Sequence, residues 1–315
     1  MKSDCARSAE ACYGPPAGRD IPGEIAKSWQ RCARFYQLDP AQSWRPDVLS
    51  GAEFRHVSGR SAFLLKAGLP EMRRLFALVQ GLNMMVLLAD PDAMILARCL
   101  DETHQSVSRR LELRKGAIWT EKVAGTNGIG TSVEECCPIV LGQGEHWRFC
   151  FALLASYAVP IFDPYGRVAG ALNLAALSGN TTRPVAGLLL EILMQSGRRI
   201  EEQLFRDYHE GEKILSLGME GGCSAPLVAI NDVGEVTGAT YASRRLTGWT
   251  DEMIEQRPCF RNEMENHNEI SFRQAEAGVI RAGLALSQGN ASAAARNLGI
   301  SRATLYRKMK SIGMK

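Results

Sequence analysis

Three groups of residues in this chain have types and spacings that could do chemistry. The first lies in the run GAIWTEKVAGTNGIGTSVEE, where Gly125, four residues, then Gly130, Thr131 and Ser132 trace the skeleton of a phosphate-binding loop. Such a loop cradles phosphates with backbone N–H groups and needs a lysine after its last glycine to reach the outer phosphates. Thr131 stands at that position, so the principal charge contact is missing and ATP hydrolysis is not expected. The glycines read better as a loop packed on a sheet, with Thr126 and Asn127 holding it by side-chain-to-backbone hydrogen bonds. The second group is Cys137, His146 and Cys150, with Cys136 alongside; their spacing fits no standard zinc pattern, so neither metal nor cofactor is expected. The third is a basic, hydroxyl-bearing set near the C-terminus: Ser301, Arg302, Thr304, Tyr306, Arg307, Lys308 and Lys310. Arginine can bond guanine bidentately, threonine can meet a thymine methyl, and lysine can hold phosphate, so this set fits double-stranded DNA.

The elements that would position the third group are local and well marked. Residues 272–287 read as a helix with Val279, Ile280, Gly283 and Leu284 on one face. Gly289-Asn290 ends it, and Asn290 or Ser292 can cap a short second helix carrying Ala293, Ala294 and Ala295. Small residues suit a close helix crossing. Gly299 supplies the turn, Ile300 plugs the core, and Ser301 caps a third helix from Arg302 to about Lys310. Leu305 and Met309, four apart, face inward and leave the basic set outside. That is a helix-turn-helix, whose recognition helix enters the major groove by its N-terminal end.

Charge agrees. The whole chain is +3, but residues 270–315 hold eight Lys/Arg against the single acid Glu276, +7 in all, leaving −4 for the remainder. A basic terminal module on an acidic body points to a polyanionic partner. Nine scattered cysteines, with no CxxC pair, read as reduced intracellular thiols. No apolar run is long enough to span a membrane, and the first residues carry Asp4, Arg7 and Glu10 instead of a secretory signal, so a cytoplasmic location is expected.

Between residues 60 and 207 the pattern is that of a sheet with covering helices. MMVLLADPDAMILA reads as a hairpin about an Asp-Pro-Asp turn, and SYAVPIFDPYGRVAGALNLAAL as another about DPYG, after a strand in PIVLGQGEHWRFC. A long helix follows from Thr181 to Tyr208. This gives an α+β domain with room for a pocket. Trp119, Glu121, Thr126, Asn127, Glu145 and His146, polar or aromatic residues in the motif-bearing loops, are its candidate ligand contacts. The alternative for them is structural, with Trp119 in the core and Glu145-His146 a satisfied pair.

Residues 271–313, centred on GNASAAARNLGISRATLYRKMK, resemble the Fis-type helix-turn-helix. That resemblance implies a homodimer whose two recognition helices address a palindromic operator with half-sites about one DNA turn apart. SWQRC at 28–32, GAIWTEKVAGTNGIGT, GEHW at 144–147 and PIFDPYGRVAGALNL resemble the AcoR/DhaR-type bacterial enhancer-binding regulators over residues 21–208. The likeness implies a helical lead-in and a GAF sensor domain, with a six-stranded antiparallel sheet and an unknown small-molecule or protein effector; Asn173 stands where the group usually has aspartate.

Those regulators carry a AAA+ ATPase between sensor and reader. Here only residues 209–270 separate the two, and APLVAINDVGEVTGATYASRRLTGW within them resembles the opening of a PAS domain. The expected organisation is a flexible leader 1–20, helical lead-in 21–59, GAF sensor 60–208, linker or PAS-like remnant 209–270 and Fis-type helix-turn-helix 271–315. The expected function is transcriptional regulation by operator occupancy, as a ligand-responsive dimer that represses, recruits RNA polymerase, or competes with a related full-length activator at a shared operator. A GAF-type thiol enzyme of the methionine sulfoxide reductase kind and a Fis-like architectural DNA-binding protein are the alternatives.

Overall fold

A computed structural model of the chain describes residues 22–42, 46–102, 105–176, 183–218, 224–261, 280, 284, 287 and 290–311; the side chains of residues 183–184 and 310–311 fall outside that set. Two compact units result: Met1–Ala229 with Gly238–Asp251, and Ile230–Thr237 with Glu252–Lys315. The leader at 1–20 and most of the first helix of the helix-turn-helix lie outside the described residues.

The larger unit opens with α1 (Gly23–Gln30), which runs on into a π-helical turn at Arg31–Phe35. Helix α2 (Gly51–Ser58) starts from a capping box in which Ser50 and Glu53 satisfy each other's backbone N–H. Helix α3 (Ala62–Val79) then leads into strands β1 (Met84–Ala89) and β2 (Ile95–Cys99). Short helices α4 (Gln105–Arg110), α5 (Glu121–Ala124) and α6 (Gly128–Glu135) precede β3 (Ile139–Leu141). Strands β4 (Ala155–Phe162) and β5 (Val168–Ala176) and the long helix α7 (Arg183–Tyr208) complete this α+β fold.

The five strands form one antiparallel sheet in the order β2-β1-β5-β4-β3. Both expected hairpins are present. In each, an aspartate before proline closes the turn. Asp90 Oδ1 accepts from the N–H groups of Asp92 (3.0 Å) and Met94 (2.9 Å), and Asp163 Oδ1 from Tyr165 and Arg167 (2.9 Å each). Gly166 completes the second turn at φ +77°, a conformation that glycine adopts without a Cβ clash. The sheet has five strands among the described residues, where six were expected. Strand β3 stops at Leu141 because Gly142 N–H is taken by the Glu145 carboxylate (2.6 Å) and Gly144 turns the chain at φ +79°.

Period-two alternation divides the core between the two faces of the sheet. Met84, Val86 and Leu88 of β1 join Tyr157, Val159 and Ile161 of β4 under helices α3 and α7. Met85, Leu87 and Ala89 point the other way, into a layer built from Trp119, Ile129, Phe151 and Leu154. The sheet is therefore covered on both sides, by two long helices on one face and by the motif-bearing loops on the other.

Strands β6 (Lys213–Ser216), β7 (Leu227–Ile230) and β8 (Val236–Ala239) make a three-stranded sheet in that order, followed by α8 (Tyr241–Thr247) and α9 (Asp251–Glu255). The strand, turn, strand and short helix read from residues 225–249 are all there, with Gly234 at φ +84° in the turn. Helices α10 (Ala291–Asn297) and α11 (Arg302–Ser311) form the reader. No helix among the described residues is long and apolar enough to cross a membrane.

Candidate functional site

Segments separated by about a hundred residues in sequence meet on the loop-covered face. The glycine run begins α6, and its tight packing explains its glycines. A Cβ on Gly128 would lie 2.1 Å from Ser156 Oγ, one on Gly130 2.3 Å from the Trp119 carbonyl, and one on Gly125 2.5 Å from Trp147 Cβ. Asn127 is saturated. Its Oδ1 accepts from Gly130 N–H, while Nδ2 donates to the Trp119 and Gly125 carbonyls, each at 2.8 Å. The Asn127 side chain and the Gly130 N–H are thus committed within the loop and not offered to a phosphate.

The lead-in clamps this loop from outside. Ser28 Oγ bonds Thr126 Oγ1 at 2.7 Å, and Cys32 Sγ lies 3.5 Å from the same oxygen. Thr126 therefore works through side-chain partners rather than the backbone bonds expected of it. Trp29 Nε1 donates to the Glu145 carbonyl at 3.1 Å. Arg31 grips both Glu121 oxygens (2.8 and 2.9 Å) and also Glu135 (2.5 Å), and these partners raise its already high pKa further. Trp147 Nε1 donates to the Leu38 carbonyl, and Arg148 to the carbonyls of Gln42 and Val123.

The six candidate ligand contacts thus share a neighbourhood but enclose almost no space. Trp119 stacks on Phe151 at 5.0 Å and is buried in the core. Glu121 is buried in its ion pair with Arg31. Trp119, Asn127 and His146 line a void of about 10 Å³ with Ser156 and Asn173, room for one water at most. Glu145 faces the Gly142 turn, and His146 is not its partner. The His146 imidazole is buried edge-on to Phe151, with no hydrogen-bond partner at either nitrogen among the described residues. Burial alone holds it neutral, its pKa pushed down to about 3.

The reader is built as its sequence implies. Asn290 caps α10, accepting from Ser292 and Ala293 N–H at 3.0 and 3.2 Å; Ser292 is not the cap. Gly299 makes the turn at φ +65°, and Ser301 Oγ accepts from Thr304 N–H at 3.0 Å to start α11. Ile280, Ala294, Ala295, Leu305 and Met309 form the core, with Leu284, Leu298 and Ile300 at its margin. Arg302, Tyr306 and Arg307 are exposed, whereas Thr304 and Lys308 are half-buried. The Ser301 and Thr304 hydroxyls bond each other at 2.8 Å, and the Arg302 guanidinium sits 5.5 Å over the Tyr306 ring. The side chain of Lys310, and the expected face positions Val279 and Gly283, lie outside the described residues.

Residues 13–202, more than half of the chain, match the family model of the MimR N-terminal domain. The chain belongs to that family. Residues 271–311 match a second model, the bacterial regulatory proteins of the Fis family. Among curated relatives, the acetoin dehydrogenase operon transcriptional activator AcoR of Bacillus subtilis is 28% identical, covering 70% of this chain and 36% of its own length. The propane 2-monooxygenase operon transcriptional activator MimR of Mycolicibacterium smegmatis is 29% identical, covering 62% of this chain and 32% of its own. The chain spans about a third of the length of these relatives. In fold, the MimR-type domain is similar to a chain of the E. coli DhaR(N)-DhaL complex, at TM-score 0.52 and 20% identity, covering 71% of this chain and 77% of that one. The chain thus carries a MimR-type N-terminal domain and a Fis-type helix-turn-helix.

The described thiols of the MimR-type domain differ in burial, with Cys99 half-buried. Cys32 is buried, Cys136 and Cys137 are half-buried and Cys150 is exposed. Burial raises the Cys32 thiol pKa, and burial with Glu134 and Glu135 nearby raises that of Cys136; both effects disfavour the reactive thiolate. Among the described residues no group of three His, Cys, Asp or Glu could hold a metal.

Proposed function

We propose that this protein is a sequence-specific DNA-binding transcriptional regulator that works by occupying its operator, without hydrolysing ATP. The observation carrying this reading is the exposed face of α11, where Arg302, Tyr306 and Arg307 project from a helix fixed by Leu305 and Met309. Ser301 contributes by capping that helix, with Thr304, Lys308 and Lys310 completing the DNA-facing set. A homodimer placing two such helices on a palindrome supplies the affinity that one short helix lacks.

The case against a motor is twofold. The phosphate-loop skeleton is spent on packing, with every Asn127 polar group bonded inward. Only residues 209–270 separate sensor from reader, and the described part of them holds a small sheet and short helices. We read the protein as a cytoplasmic non-enzyme: the raised Cys32 and Cys136 pKa values disfavour the thiol-enzyme alternative.

The effector is read as acting on the MimR-type domain. The closed void behind His146 speaks against a small molecule at the motif-bearing loops. The solved complex of DhaR(N) with DhaL, on a similar fold, is consistent with a protein partner. An architectural role would need no sensor at all, so the extent of the sensor match speaks against it.

The test is selection of the full chain on random duplex DNA, followed by fluorescence anisotropy on the enriched site. Arg302→Ala should cost about 1–3 kcal/mol of specific binding and relax preference at its contacted base. Equal binding of enriched and scrambled duplexes would refute sequence-specific regulation.

A further inference from the structure

The open space of the sensor lies elsewhere than the motif cluster. A cavity of about 620 Å³ sits at the end of the sheet where both Asp-Pro turns emerge, bounded by α2, the start of α3 and the end of α7. Its size is that of a small-molecule site. The walls are mostly apolar, with Val57, Leu64, Val168 and Leu204 among them. Phe63 and Tyr208 at its edge are 72% and 54% exposed, large rings left uncovered.

The polar groups in this cavity are chiefly acids. Asp90, Asp92 and Asp163 line it, against one guanidinium, the exposed Arg60. Asp90 is only 3% exposed, and it and Asp163 each spend Oδ1 on their own turn. Their Oδ2 atoms have no hydrogen-bond partner among the described residues. Arg167, over the Tyr165 ring at 5.9 Å, is already paired with Asp251. A buried carboxylate with an unused oxygen and aromatic rings beside it is the setting in which a desolvated ammonium is held, by charge and by ring faces together.

We propose that this cavity binds a small organic cation, an ammonium group on an apolar body, with its charge at Asp90 and Asp163 and its body between Leu204 and the Phe63 and Tyr208 rings. An anion would meet a cavity lined by three carboxylates, and a neutral ligand would bring no charge to pair with the carboxylate oxygens that the turns leave unused. The location gives such a ligand a route to the output. Tyr208, whose hydroxyl bonds that of Tyr165, is the last residue of α7, and the chain leaves the sensor fold there. Next to it, His209 is packed so closely that a Cβ on Gly238 would lie 2.2 Å from its Nε2. The inference rests on the sensor reading for its consequence only; binding itself does not require it.

Isothermal titration of the purified full chain, without DNA, provides the test. Phenethylammonium should bind at one site, with 2-phenylethanol and phenylacetate at least about tenfold weaker. Asp90→Asn and Asp163→Asn keep the Oδ1 acceptor that closes each turn and remove the charge, so each should weaken the cation about tenfold and leave the alcohol unchanged. Tyr208→Ala, at the exposed rim, should also weaken the cation, with circular dichroism at the titration temperature showing that the variant is folded. The proposal is overturned if phenethylammonium gives no heat up to about 10 mM, if phenylacetate binds more tightly, or if all three variants bind as wild type. Because no DNA is present, failure here leaves the regulator reading standing, and loss of DNA binding would leave this result standing.

Discussion

Arg31→Met is the perturbation that most directly tests how the lead-in holds the sensor. Arg31 makes two hydrogen bonds to Glu121 and one to Glu135, whose side chains are 2% and 12% exposed, while its own is 21% exposed. Removing the guanidinium leaves the Glu121 carboxylate buried and unpaired, a change that costs about 3–5 kcal/mol where the pair is fully enclosed. Partial exposure of Arg31 and the polar edge at Glu135 let some water in, so the lower end, about 3 kcal/mol, is expected. For a domain of this size that is a fall in melting temperature of about 6–12 °C. Calorimetric unfolding near neutral pH reads it. Replacing Glu121 by Gln as well should restore part of the loss, a coupling that a double-mutant cycle measures. A loss below about 1 kcal/mol, with no coupling, would show that the lead-in only rests on the loop.

Further expectations follow from the same geometry. Gly128→Ala places a Cβ 2.1 Å from Ser156 Oγ and should cost about 1–3 kcal/mol in chemical denaturation, unchanged by nucleotide. Leu305→Ala, at a fully buried position of the reader, should lose about 2–5 kcal/mol and abolish DNA binding, leaving the sensor's own melting transition in place. His146 and Glu201, the latter a buried residue of α7 whose carboxylate accepts from Phe162 N–H at 3.0 Å, should pull stability in opposite directions with pH. The folded pKa of His146, about 3, lies below its unfolded value, so its contribution is intact above about 6.5 and is lost as pH falls from there. That of Glu201, raised by burial to about 8, lies above its unfolded value, so its contribution is intact below about 4.5 and is lost as pH rises to 8. His146→Leu should therefore gain stability relative to wild type at pH 5, and Glu201→Gln relative to wild type at pH 8, in urea titrations at the two pH values.

The sequence was most legible where a feature is local. The helix-turn-helix is set by Asn290, Gly299 and Ser301, each acting within three residues of itself, so caps and turn could be read directly. Both hairpins were announced by Asp-Pro pairs whose side chains bond two and four residues ahead. The motif cluster was not legible in the same way, because its partners are remote: Trp29 and Glu145 are 116 residues apart, and Ser28 and Thr126 are 98. Types such as Trp119, Glu121 and His146 look the same in a sequence whether they face a ligand or each other. Only packing shows that Glu121 serves Arg31 and that His146 has no hydrogen-bond partner among the described residues. The cavity was missed for the reverse reason. Asp90 and Asp163 had already been used as turn formers, and their second role depends on α2 and α7 closing over the turns.

Footprinting of the selected operator with the full chain, in parallel with a phosphate-release assay on the same mixture, separates operator occupancy from ATP-driven action. Occupancy gives a two-fold protected site with half-sites about one helical turn apart, the same with and without ATP, lost in Arg302→Ala combined with Arg307→Ala, and no DNA-stimulated phosphate release. Phosphate release that rises when DNA is added, or protection that appears only with nucleotide, would contradict it.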